Sequence, residues 1–145
     1  MSRIGKQAKM LSKNQIDMIV AYLRDQRNAE RNVGLFLMSV RAGLRAKEIS
    51  GLQWCDVVDA DGNVSEYVTV RTDVSKGGYG ARQIFMSKDL KAAIVVLNEL
   101  RDGDNDSSIF QSARADTMSA QVIVNWFSGL YRKLGFDGCS SHSGR

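Results

Sequence analysis

The chain has 145 residues, 43% of them hydrophobic and 25% charged, the balance of an ordinary soluble protein and enough for one domain burying roughly 70% of its unfolded surface. No run approaches the eighteen apolar residues of a membrane span, and the first residues lack the apolar core of a secretory signal, so no membrane role is expected. The formal net charge of +4 is unevenly spread: residues 1–50 hold ten Lys/Arg against four Asp/Glu, residues 51–106 six against ten, and residues 107–145 four against two.

Residues 1–10 are basic and aperiodic and read as a mobile arm. Ser12 followed by Gln15 is a capping box, after which Ile16, Ile19, Val20 and Leu23 recur at helical spacing. A break at Arg27 and Asn28 precedes a second helix from about Ala29. Its apolar residues Val33, Phe36, Leu37 and Val40 face most ways, which predicts a central position in the core. Gly43 supplies a left-handed stop, and a third short helix is predicted from about Arg45 to Gln53, with Ile49 and Leu52 facing in.

The pattern then changes. Asp61-Gly62-Asn63 signals a turn, and residues 67–72 are rich in β-branched side chains. The glycine-rich stretch Ser75–Gly80 follows, and residues 81–86 return as a strand, giving a small three-stranded antiparallel sheet with an exposed tip. Ser87 caps a fourth helix with Leu90, Ile94, Leu97 and Leu100 at regular spacing. A loop over 102–108 leads to a fifth helix from about Ser119, placing Ile123, Trp126, Phe127, Leu130 and Leu134 inward and stopping at Gly135. The fold class is therefore α+β, mostly helical, with residues 11–145 as one domain.

Three constellations carry chemistry. Arg45 stands at a helix start, where free backbone N–H groups favour an anion, and Glu48 lies three residues on, within reach of its guanidinium. Taken alone this is more often an ordinary helix-start ion pair, or part of a helix-turn-helix. Lys76 sits at the glycine-flanked tip, where a lysine can reach a phosphate or protonate a leaving oxygen, although most loop lysines are merely solvated. His142, the chain's one histidine, precedes Arg145 by three residues, so the two could meet one oxyanion from a shared helical face. Asp102, Asp104 and Asp106 resemble the start of a calcium loop, but Ser107 replaces its glycine and Ala113 its closing glutamate. Cys55 and Cys139 lack metal-ligand neighbours, and reduced thiols in a cytoplasm are expected. Neither a metal nor another cofactor is expected.

The order of these groups resembles the catalytic domain of the tyrosine recombinases, or phage integrases. The match runs from about Leu11 to the end, and its most specific part is Val40–Asp56, with Leu52, Trp54 and Asp56 fitting the family's trailing pattern. The resemblance implies site-specific DNA recombination, a mobile-element origin and double-stranded DNA as partner, with a homo-oligomer on that DNA left open. It also implies roles. Arg45 and Arg145 would grip the scissile phosphate, His142 would add a hydrogen bond as charge develops, Lys76 would protonate the 5′-oxygen leaving group, and Glu48 would orient Arg45. Arg41, Lys47 and Arg82 are expected to contact DNA.

Two departures accompany the resemblance. Gly144 stands where the family usually has an apolar residue before the arginine. The family's nucleophilic tyrosine follows that arginine, whereas Tyr22, Tyr67, Tyr79 and Tyr131 all precede it, so the expectation is a short-form domain, without a core-binding domain, truncated before its nucleophile. Two rival readings make different demands. A non-enzymatic helix-turn-helix regulator would use residues 33–54 and leave Lys76 and His142 irrelevant, and a decayed mobile-element product would keep the fold without binding DNA.

Overall fold

A computed structural model of the protein describes residues 10–71, 81–113, 116–136 and 138–140. Helix α1 spans Lys13–Arg24. Its capping box is formed as read: the Gln15 N–H donates to Ser12 Oγ at 3.1 Å, and the Ser12 N–H donates back to Gln15 Oε1 at 2.8 Å. Ile16, Ile19 and Leu23 are buried on one face. Helix α2, Ala29–Val40, is the centre of the molecule, with every residue from Asn32 to Val40 buried. At Gly43, φ is +72°, and its N–H closes on the Ser39 carbonyl at 3.0 Å, the left-handed stop that a Cβ would strain.

Helices α1 and α4 (Lys88–Leu100) pack directly on α2. The approach of α2 to α4 depends on Gly34, where an added Cβ would lie 2.9 Å from Leu97 Cδ1. Helix α3 is short, Ala46–Ser50, and packs against α5, Ala120–Leu134. The caps of α4 and α5 are the expected serines: Ser87 Oγ accepts from the Leu90 N–H and Ser119 Oγ from the Val122 N–H, and α5 ends at left-handed Gly135.

Helix α3 stops earlier than its sequence suggests. Beyond Gly51 the chain runs alongside residues 105–109: the Ile109 N–H donates to the Leu52 carbonyl, and the N–H groups of Trp54 and Cys55 donate to the Ser107 and Asn105 carbonyls. These non-local bonds take the donors that a continued helix would use, and only a 3-10 turn at Trp54–Asp56 remains.

The sheet is also smaller than expected. Among the described residues it has two strands, β1 (Tyr67–Arg71) and β2 (Ala81–Phe85), paired antiparallel from Tyr67 opposite Phe85 to Arg71 opposite Ala81. The anticipated third strand is reduced to one bridge, Val58 opposite Val64. Asp59 Oδ1 accepts from the N–H groups of Asp61 and Asn63, curling the chain too tightly for a longer ladder.

Three inward assignments need correction. Leu100 is 63% exposed, because α4 outlasts the surface of α2 that it covers. On α5, Tyr131 is fully buried while Trp126 and Leu134 are only half-buried. Among the described residues the Tyr131 hydroxyl has no hydrogen-bond partner, and burial holds its pKa above the ordinary phenol value.

Candidate functional site

Helix α3, the 3-10 turn and the ends of β1 and β2 nearest residues 72–80 enclose a groove of about 590 Å³. Arg45, Lys47, Arg71 and Arg82 line it, with Glu48 and Asp56 as its acids. The sequence had singled out Arg45, Lys47, Glu48 and Arg82, and the fold brings all four together across 38 residues of chain. Arg45 and Lys47 are exposed, and among the described residues neither side chain enters an ion pair.

Glu48 does not hold the Arg45 guanidinium as expected. Its Oε1 accepts the backbone N–H of Arg45 at 2.9 Å, and its Oε2 accepts from Arg82 Nη1 at 2.8 Å. The same carboxylate thus caps the start of α3 and ties it to β2. Burial alone would raise the Glu48 pKa, but the Arg82 hydrogen bond, the Arg45 N–H and the two guanidinium charges more than offset it. The carboxyl is held below its ordinary range. Among the described residues the Arg45 guanidinium enters no ion pair, and it stands at the groove wall.

Sequence reasoning missed Arg71 and the role of Asp56. Arg71 Nη2 donates to the Gly51 carbonyl at 2.6 Å and to Asp56 Oδ2 at 3.1 Å, and that oxygen also accepts the Gln53 N–H at 2.9 Å. Asp56 is buried, and a buried carboxylate demands partners, which was the available signal. Nothing local in residues 67–71 marked Arg71 as the partner.

Arg41 is diverted. Its Nε pairs with Asp89 Oδ2 at 2.9 Å, linking the end of α2 to the start of α4, and Arg41 does not line the groove. Lys76, His142 and Arg145 lie outside the described residues. Both flanks of Lys76 are described, however, and the strand-end residues Arg71 and Arg82 open into the groove. No tyrosine lines it among the described residues.

The regulator reading fares poorly. The five residues of α3 form little more than one turn, Ile49 is buried, and Ser50 Oγ donates to the Met118 carbonyl at 2.8 Å. A helix so short and so occupied has no face to lay into a major groove.

The family model of the phage integrases matches residues 9–145. The chain belongs to the phage integrase family. Solved structures share the integrase fold: an XerA recombinase is 21% identical with a TM-score of 0.71, covering 92% of this chain and 45% of that one. A Tn1549 transposon integrase in complex with circular intermediate DNA is 19% identical with a TM-score of 0.66, covering 92% and 48%. A lambda integrase dimer bound to a COC′ core site is 18% identical with a TM-score of 0.63, covering 92% and 37%. This integrase chain thus spans about half or less of the length of those proteins. No curated protein sequence matches it. None of its described helices is long and apolar enough to cross a membrane.

Proposed function

We propose that this chain is the phosphate-gripping part of a site-specific DNA recombinase acting on double-stranded DNA in the cytoplasm. Residues 11–145 form its catalytic unit and residues 1–10 a basic arm. Arg45 and Arg145 hold the non-bridging oxygens of the scissile phosphate, His142 adds a hydrogen bond as charge develops, and Lys76 protonates the 5′-oxygen as it leaves. The attacking group is a tyrosine hydroxyl, which forms a 3′-phosphotyrosyl bond. Glu48 acts at one remove: it fixes the start of α3 and orients Arg82, while Lys47 and Arg82 contact the backbone nearby.

One observation carries this reading: a groove in which two cations stand without counter-ions among the described residues, while the acids beside them are engaged by other arginines. Fixed forks of N–H donors suit a phosphoryl group whose charge grows during transfer, because no reorganisation is needed at that moment. Binding of a labelled duplex, followed by fluorescence anisotropy across a salt series, tests it. Affinity falling steeply with salt supports the reading; salt-independent binding, or none to any duplex, overturns it.

A further inference from the structure

We infer that Arg71 is a second backbone-phosphate contact, holding a phosphate adjacent to the one gripped by Arg45. The inference rests on the DNA-binding role proposed for the groove and adds a residue that neither the motifs nor the family match singles out. Arg71 ends β1, lines the groove with Arg45 and Lys47, and keeps 51% of its side chain exposed. Only Nη2 is committed, to Gly51 and Asp56. Among the described residues Nη1 and Nε have no partner, so one edge of the guanidinium is anchored while the other stays available.

The anchor is well built for this use. The Asp56 side chain is 5% exposed and fixed by the Gln53 N–H as well as by Arg71. A guanidinium braced by a buried carboxylate and a main-chain carbonyl has lost its rotamer freedom before any ligand arrives, so less entropy is lost on binding. A purely structural arginine looks different, and Arg101 supplies the contrast. Its Nε, Nη1 and Nη2 donate to Asn98 Oδ1, the Asp104 carbonyl and Asn105 Oδ1, and its face lies 4.6 Å from the Trp54 ring centroid. Every nitrogen of Arg101 is already engaged within the fold, whereas Arg71 keeps Nη1 and Nε without a partner among the described residues.

The test is the salt dependence of duplex binding for the wild-type chain, Arg45→Gln, Arg71→Gln, Arg71→Lys and, as a control on the exposed end of α1, Arg24→Gln. Folding of each is checked by its thermal melt. Each phosphate contact contributes about 0.9 to the slope of log K against log salt. Arg71→Gln is expected to lose about that much slope and about tenfold in low-salt affinity. Arg71→Lys should keep the slope and bind several-fold more weakly, because an ammonium cannot hold Asp56 and a phosphate on separate edges. Arg24→Gln should match the wild type. A folded Arg71→Gln with wild-type slope, beside an Arg45→Gln that loses slope, overturns the role of Arg71 and leaves the groove intact. Should Arg71→Gln not fold, an Arg71→Lys variant with wild-type slope and affinity overturns it equally. A wild-type chain that binds no duplex removes both readings together.

Discussion

Two arginine-lined concavities both draw on residues 51–56 for part of their walls, and they use their cations in opposite ways. The smaller, about 220 Å³, has Arg31, Arg101, Trp54 and Leu97 among its lining residues. Arg31 Nε donates to Asn32 and its Nη1 to the Gln111 carbonyl, and Arg101 gives all three of its nitrogens to residues 98–105. These guanidiniums staple loops to helices. In the larger groove Arg82 and Arg71 are held by carboxylates at one edge only, and among the described residues Arg45 and Lys47 enter no ion pair. Counting positive charge would not separate the two places. Following each N–H to its acceptor does.

The largest effect that sharpens this contrast is expected at Arg45. Arg45→Gln should weaken duplex binding by about 1.5–3 kcal/mol, the range for a charge-assisted hydrogen bond, while the urea midpoint shifts little, because the exposed side chain enters no ion pair among the described residues. Arg101→Ala should do the reverse. Losing three hydrogen bonds and the Trp54 contact lowers stability by about 2 kcal/mol in urea titration, with duplex affinity unaltered. If Arg101→Ala weakened DNA binding at full stability, the division between stapling and gripping arginines would fail.

A smaller change is expected at Tyr131, where a buried hydroxyl without a partner among the described residues makes Tyr131→Phe stabilising by about 1 kcal/mol, read from the same urea midpoints. A loss of stability there would reveal a hydroxyl contact. The smallest effect concerns acid. Since the folded Glu48 carboxyl is held below its ordinary range, its contribution is present above the unfolded pKa, about 4.3, and is lost as pH falls through the lower folded value. Wild type should therefore exceed Glu48→Gln in stability at neutral pH and converge with it on strong acidification. A gap that stays constant with pH would mean the Arg82 contact does not depend on the carboxylate charge.

Local signals were legible and distant ones were not. The Ser12–Gln15 box, the serine caps at 87 and 119, and the glycine stops at 43 and 135 each depend on a few neighbouring residues, and each is formed as read. The end of α3 was not legible, because residues some fifty positions later take its donors. In the same way Arg45 and Glu48 were legible as candidate catalytic residues and Arg41, Lys47 and Arg82 as candidate DNA contacts, yet the pairing was not: the Glu48 partner is 34 residues away on β2, and Arg41 finds Asp89 48 residues away. Asp56 stood out as a pattern residue, but only the packed strand end shows that it braces Arg71.

His142 is the only histidine in the chain, so its ring protons can be followed alone by NMR as pH is varied. With saturating duplex, the imidazole should titrate at higher pH than without it, since a bound phosphate favours the charged ring, and Arg45→Gln should abolish that rise. An identical titration with and without bound DNA would place His142 away from the phosphate and contradict a shared site with Arg45.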